Sequence, residues 1–262
     1  KEKGNANQLV ARIIKEAMLQ GVDVQIVSYD GGLKDNAIPR EADIVFTSKT
    51  DFKAIQSSVE KSIEDIKIEL EFSDAGFNAI LEKLEPAVKK ADHKTSEELI
   101  DYTYLMPNGF QHRSMAIEGL TLTSLNLGVV TTDDEEVKIT VSVRSAIESG
   151  IDNLIRILKT LAGRLGFDVT TSARYPGWNF KEESTMREIY KKCVKEIYDE
   201  ELKTVAGHGG CECGVFNNLV GGMDIISMGP KASGCHTPDE KLNLESFDRT
   251  YKLLCKVISE AK

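Results

Sequence analysis

Hydrophobic residues in the first two thirds of the chain recur with two different periods, which predict a mixture of helices and strands. Helical spacing predicts helices at about 9–17, 52–63, 75–90 and 96–106. Short apolar runs predict strands at 22–27, 44–46 and 66–72. From Gly119 to Val143 apolar and polar residues alternate around a hairpin turn at 131–136, and a helix follows from Ile151 to Gly166. This order of elements predicts a complete α+β sandwich.

The last third of the chain follows a different rhythm. Strands are predicted at 168–173, 203–206 and 223–228, and helices at 184–199, 213–219 and 247–258. This alternation is typical of a mostly parallel sheet in an α/β domain. We therefore predict two domains, 1–173 and 174–262, with the border beside the YPGW stretch at 175–178. About 90 residues are too few for a complete doubly wound sheet, so part of the second domain is expected to be missing.

Composition and charge narrow the class of function. The 262 residues, 41% of them hydrophobic and 29% charged, are typical of a globular protein. A formal net charge of -9 argues against nucleic acid or an anionic membrane as a partner bound through a broad basic face. No stretch approaches the roughly 20 apolar residues of a membrane helix and no signal-peptide pattern is present, so we expect a cytoplasmic location. Five cysteines, an odd number, favour reduced thiols over a disulfide framework.

Two glycine-bearing loops that follow predicted strands are candidates for chemistry. The loop at 229–240 contains His236, whose imidazole either binds zinc, oriented by nearby carboxylates, or belongs to a plain surface loop. The segment at 208–214 contains Gly210, where the absence of a side chain would let a substrate approach free backbone N–H groups. Cys211 and Cys213 in that segment are either part of a structural zinc site or small buried thiols.

Two residues of the first domain also have alternative interpretations. Asn36 lies in the turn at 31–39, where an asparagine side chain commonly caps its own turn. Arg144 falls on the polar side of its predicted strand, where its planar guanidinium either binds a carboxylate or pairs with a surface glutamate. His93 and His112 lie in polar surroundings and are predicted to be surface residues.

Seven short segments, taken together and in order, resemble the aminoacyl-histidine dipeptidases, a branch of the di-zinc carboxypeptidase and aminoacylase family. These segments are KGNAN at 3–7, GLKDNAIPREA at 32–42, MPNG at 106–109, SLNLG at 124–128, YPGW at 175–178, ECG at 212–214 and HTPDE at 236–240. The resemblance implies that 1–173 is a lid domain with an α+β sandwich fold and that 174–262 is the C-terminal part of an α/β zinc-peptidase domain. The segment at 209–214 and His112 depart from the residues usual in the family, which affects substrate preference and leaves the fold unchanged.

The resemblance also implies roles for individual residues. Asn36 matches a lid asparagine that contacts the bound dipeptide, and Arg144 matches a lid arginine that holds its C-terminal carboxylate. Gly210 matches a backbone contact to the substrate, and His236 matches the last of five metal ligands. The remaining ligands and the general-base glutamate belong to a part of the family fold that precedes this chain, so no catalytic residue is assigned.

The implied function is hydrolysis of small dipeptides of the Xaa-His type by a cytosolic enzyme that uses two zinc ions or other divalent metals. This chain alone is expected to be inactive. Its implied partners are the dipeptide and, through the lid, a second copy in a homodimer. Two alternatives stay open: a non-catalytic module for dimerisation or peptide binding, and an acylase or carboxypeptidase of the same family.

Overall fold

A computed structural model describes residues 3–115, 117–178, 180–205, 212–235 and 239–261. In chain order the elements are α1 (Ala6–Leu19), β1 (Gln25–Gly31), β2 (Ala42–Thr47), α2 (Phe52–Glu69), α3 (His93–Leu105), β3 (Gly109–Arg113), β4 (Thr121–Thr132), β5 (Val137–Ser145), α4 (Glu148–Arg164), α5 (Thr185–Tyr198), α6 (Glu212–Leu219), β6 (Ala232–Ser233), β7 (Lys241–Leu242) and α7 (Leu244–Glu260). The chain forms two units. Unit 1 comprises Lys1–Arg113, Thr121–Ser145 and Ser149–Ser172, and unit 2 comprises Ser114–Leu120, Ala146–Glu148 and Ala173–Lys262.

Unit 1 is built on a five-stranded antiparallel sheet. Strand β4 pairs along one edge with β5, and it pairs along the other edge with β3 and then with β1, which in turn pairs with β2. The β4–β5 hairpin confirms the alternating pattern read from the sequence, because Leu125 and Leu127 are buried while Ser124 and Asn126, which alternate with them, are less so. The sheet therefore has a core-facing inner face and a polar outer face.

The inner face of this sheet and helices α1 to α4 share one hydrophobic core. Ile14 from α1, Ile66 from α2, Ile100 from α3 and Leu154 from α4 all lie in the same buried cluster as the β4 leucines. Tyr29 of β1 is fully buried, and its hydroxyl donates a 2.5 Å hydrogen bond to the carbonyl oxygen of Asn7. The predicted mixture of helices and strands is confirmed.

Two predictions in unit 1 are wrong. Residues 66–72 do not form a strand: α2 continues to Glu69, because Ile66 extends the buried stripe of Ile55, Val59 and Ile63 at helical spacing. Residues 75–90 do not form a helix. Their side chains alternate instead, with those of the apolar residues 77, 79 and 81 against the core and those of residues 78, 80 and 82 exposed, which is the pattern of an extended segment.

Unit 2 contains helices α5, α6 and α7 and a short antiparallel hairpin, β6–β7. Helices α5 and α7 enclose a small core of Cys193, Val194, Leu253 and Val257. The predicted parallel sheet is wrong for the described residues, since 168–173, 203–205 and 223–228 are not in strands. A strand needs a neighbour for its N–H and C=O groups, and none of the described residues provides one for these segments.

Asp224 holds the start of α5. Its carboxylate accepts hydrogen bonds from the Ser184 hydroxyl at 2.5 Å and from the Met186 backbone N–H at 2.8 Å. Partial burial acts to raise the pKa of Asp224, but these hydrogen bonds outweigh it and lower the pKa below its ordinary value. The charged carboxylate therefore stabilises the N-terminal turn of α5.

None of the helices in the described part of the chain is both long and apolar enough to cross a membrane.

Candidate functional site

Arg144 lies on the outer face of the unit 1 sheet. It is the residue of β5 that pairs with Ser124 of β4, so its side chain is on the face opposite the core. The residue is half-buried, and among the described residues its side chain forms no hydrogen bond or ion pair. The predicted alternative, an ion pair between Arg144 and a surface glutamate, is therefore not formed within the described residues. A half-buried guanidinium without an anion is poorly satisfied and suited to binding one.

Asn36 belongs to an exposed loop, 33–38, that lies on the same face. The Asn126 side-chain amide of β4 donates to the carbonyl oxygens of Asp35 at 2.8 Å and Ala37 at 2.9 Å, on either side of Asn36. The Asn36 side chain is exposed and makes no hydrogen bond within the described residues, so it does not cap its own turn. Its amide is available to a ligand.

The sheet register relates this loop to Arg144. Ser124, opposite Arg144, and Asn126, beneath the loop, are two residues apart on the same face of β4, a spacing of about 7 Å. An extended dipeptide has about that length. Of the four residues implicated by the sequence, Asn36 and Arg144 thus lie on the same polar face of the unit 1 sheet.

A break in the sheet edge lies under the loop. Along one edge β4 pairs with β3 as far as Leu125 and with β1 at Val130, which leaves the backbone of Leu127 without a strand partner there. Two asparagine side chains take that place. Asn108 Oδ1 accepts from the Leu127 N–H at 3.0 Å, and Asn5 Nδ2 donates to the Leu127 carbonyl oxygen at 2.9 Å. An asparagine amide has the same donor and acceptor chemistry as a peptide group, so it completes the ladder.

Glycines let the loop approach the sheet closely. Gly32 has a φ of +76°, and a Cβ there would lie 1.9 Å from the Gly128 carbonyl oxygen. A Cβ on Gly128 would lie 2.5 Å from the Cα of Asp35. Larger residues at these two positions would therefore push the loop away from β4.

Gly210 and His236 lie outside the described residues, so the structure does not place these two predicted site residues. On either side of the undescribed residues 236–238, Ser233 of β6 pairs with Lys241 of β7. Helix α6 begins two residues after Gly210. Within the described ranges, no group of three or more His, Cys, Asp and Glu side chains could hold a metal ion. The described residues by themselves thus do not form a zinc centre.

The other histidines and one further pair of motifs have structural explanations. His93 and His112 are exposed as predicted, and His93 Nδ1 lies 3.3 Å from Asp23 Oδ1. In unit 2, a Cβ on Gly214 would lie 2.5 Å from the Pro176 carbonyl oxygen, so the ECG and YPGW segments pack against each other.

No role was predicted from the sequence for Asn5, Asn108 and Asn126. All three fall inside the segments that carry the family resemblance. Asn5 and Asn108 are each next to a glycine, and Asn126 lies between two leucines of the core. An asparagine in such a segment was the available signal, because its side chain can replace a backbone group where strand pairing stops.

The fold and the motif segments define the class of protein. The chain belongs to peptidase family M20/M25/M40, whose sequence profile matches residues 4–260. The resemblance stated above is confirmed at the level of family and of mixed α/β fold.

Two relatives give more detail. The chain is 30% identical over 258 residues to the cytosol non-specific dipeptidase of Escherichia coli (strain K12), a match that covers 98% of this chain and 53% of that protein. The structure of this chain is similar to the crystal structure of aminoacylhistidine dipeptidase from Vibrio alginolyticus, with a TM-score of 0.89 and 28% sequence identity. The match covers 99% of this chain and 53% of the Vibrio chain. The chain spans about half the length of each relative.

Proposed function

We propose that this chain is the lid, residues 1–173, and the C-terminal catalytic portion, residues 174–262, of a cytosolic dipeptidase that hydrolyses small dipeptides such as those ending in histidine. Family membership and the names of both relatives support a dipeptidase. The E. coli relative is named a cytosolic enzyme, which supports the location. A homodimer formed through the lid stays part of this proposal.

The observation that carries the proposal is the half-buried Arg144 with no acidic partner among the described residues. A dipeptide has a free C-terminal carboxylate close to its scissile bond. The five-donor guanidinium can bind both carboxylate oxygens in two parallel hydrogen bonds, which fixes the substrate's orientation as well as its position. Arg144 therefore selects short peptides with an unblocked C-terminus.

Asn36 supplies the second contact to the peptide. Its exposed amide has both donor and acceptor atoms, as a peptide bond requires. Because the loop is fixed on either side of Asn36, little conformational freedom remains to be lost when the substrate binds. Gly210 would add a backbone contact from the second domain.

His236 is proposed as the one metal ligand that this chain contributes to a two-zinc site. Zinc, or another divalent ion, would supply an activated water for peptide hydrolysis. The described residues support only the substrate-binding part of this function, so an isolated 262-residue chain is expected to bind a dipeptide without cleaving it.

The test compares one Xaa-His dipeptide with the same dipeptide amidated at its C-terminus, using the full-length dipeptidase that the proposal implies. Wild type should prefer the free carboxylate. Arg144→Ala should lower kcat/KM for it by about 10- to 100-fold and handle both forms about equally, and Arg144→Lys should recover only part of the loss. Lys138→Ala is the matched control, because Lys138 is an exposed cation of the same strand and face.

If Arg144→Ala prefers the free carboxylate as strongly as wild type does, Arg144 is not the carboxylate-binding residue. Turnover of N-acyl amino acids in place of dipeptides would indicate the acylase alternative. Binding without turnover by the complete protein would indicate a non-catalytic peptide-binding module.

A further inference from the structure

The loop that presents Asn36 has few attachments of its own. Within 33–38 the backbone forms one turn hydrogen bond, from the Ala37 N–H to the Lys34 carbonyl oxygen at 3.3 Å. At its neck the Gly32 N–H donates to the Glu41 carbonyl oxygen at 3.2 Å. The two bonds from Asn126 are shorter than both. They are therefore the main attachment of the loop to the sheet.

The direction of the Asn126 amide is itself fixed. Its Oδ1 accepts from Asn5 Nδ2 at 3.4 Å, and the same Nδ2 donates to the Leu127 carbonyl oxygen at 2.9 Å. Asn5 Oδ1 accepts from the Gln8 N–H at the start of α1, which sets the orientation of the Asn5 amide. If the Asn126 amide were reversed, its oxygen would face two carbonyl oxygens.

This chain of contacts connects helix α1 to the loop. Asn5 is buried and caps the start of α1. Its side chain donates to the Asn126 side chain, which in turn donates to the loop carbonyl oxygens. Because α1 packs in the core of unit 1, the loop is held against a rigid element. Asn126 therefore helps to set the height of Asn36 above the sheet, beside the close approach at Gly32 and Gly128 and the hydrogen bond from the Ala6 N–H to the Pro39 carbonyl oxygen at 3.2 Å.

We infer that Asn126 is a positioning residue for substrate binding: it holds the Asn36 loop at the distance from Arg144 that a dipeptide needs. This inference rests on the proposed function, since it gives Asn36 and Arg144 the substrate contacts. Asn126 itself acts through the loop, because both of its N–H donors are used on loop carbonyls.

The first experiment measures the loop without any activity assay. In Asn126→Asp the side chain keeps its size, but an oxygen replaces the amide donor and is repelled by the two carbonyls. Amide hydrogen exchange at Gly32 and Ala37, followed by NMR in the 262-residue chain, should become about 4- to 170-fold faster, because each of the two lost bonds contributes a factor of about 2 to 13. Exchange at core amides such as that of Val130 should not change.

Asn153→Asp is the matched control. Asn153 is an exposed residue of α4 in the same unit, so this variant adds the same charge away from the loop. Asn126→Ala, which removes the donors without adding charge, should also speed exchange at Gly32 and Ala37. If exchange at Gly32 and Ala37 is unchanged in both Asn126 variants, the inference is wrong.

The second experiment measures the consequence for substrate. In the full-length enzyme, Asn126→Asp should raise KM for an Xaa-His dipeptide roughly 3- to 10-fold, because a smaller fraction of molecules has the loop in its binding position. It should change kcat by less than about twofold and should keep the preference for a free over an amidated C-terminus, since Arg144 is intact. Loss of that preference would contradict a role limited to the loop.

The two experiments separate the inference from the proposed function. If wild type binds no dipeptide, the proposed function fails, while the exchange rates still decide whether Asn126 positions the loop. If wild type cleaves the dipeptide and Asn126→Asp has an unchanged KM, the proposed function stands and the positioning role is overturned.

Discussion

Replacing Gly128 by alanine would place a methyl group where unit 1 has no room. The new Cβ would lie 2.5 Å from both the Cα and the carbonyl oxygen of Asp35, which are backbone atoms and cannot rotate away. Either the sheet deforms, at a typical overpacking cost of about 1–3 kcal/mol, or the loop lifts and loses its two hydrogen bonds from Asn126, at a similar cost. We expect the free energy of unfolding of unit 1 to fall by about 1–3 kcal/mol.

A glycine-to-alanine substitution in α4 of the same unit is a matched control, because we expect it to raise the free energy of unfolding. Gly163 is in the last part of α4, and a Cβ there would meet nothing within 4 Å. Alanine is the better helix former, so Gly163→Ala should raise the free energy of unfolding by up to about 1 kcal/mol. Native-state hydrogen exchange at core amides of β4 reports unit 1 separately from unit 2. A Gly128→Ala variant that is neutral, or stabilised as Gly163→Ala is, would refute the close approach of the loop to β4.

Two further predictions concern unit 2 and the metal. Asp224→Asn should lower the free energy of unfolding of unit 2 by about 1 kcal/mol at neutral pH, because the hydrogen bonds from Ser184 and Met186 favour the charged carboxylate. The midpoint of urea unfolding, followed by the fluorescence of the single tryptophan, measures this change. A lowered folded-state pKa stabilises fully above the unfolded value of about 4, so the difference between wild type and variant should shrink as pH falls from that value through the lower folded-state pKa. A pH-independent difference would contradict this prediction. The isolated chain should cleave no dipeptide even with added zinc. In the full-length enzyme His236→Ala should lose nearly all activity and one metal ion, measured by mass spectrometry, whereas His93→Ala should lose neither activity nor metal. Full metal content in the His236→Ala variant would exclude the role of His236 as a ligand.

The local sequence predicted an element correctly where its apolar residues followed only one periodicity, that of a helix or that of a strand. The alternation from Val137 to Val143 predicted β5, and the apolar stripe from Ile151 to Leu165 predicted α4 and its end at Gly166, where φ is +73°. The prediction failed at 66–72, where apolar and polar residues alternate as in a strand. Ile66 instead continues the buried stripe of α2 at helical spacing.

The candidate site shows the same division. The residue types left two interpretations each for Asn36 and Arg144, and the family resemblance implied that both contact the substrate. Sequence separation hid what connects them: Asn5, Asn108 and Asn126 come from three distant segments and meet only because β3 and β1 share one edge of β4.

The sequence by itself determined the family, the mixed fold and the faces of the main helices and strands, because periodicity and motif order are properties of the chain alone. Only the tertiary structure decided which extended segments became strands, since a strand exists through its neighbour's hydrogen bonds. It also decided that Arg144 has no acidic partner within the described residues and that the loop rests on Asn126. Both depend on which residues approach in space, and the order of residues along the chain does not contain that information.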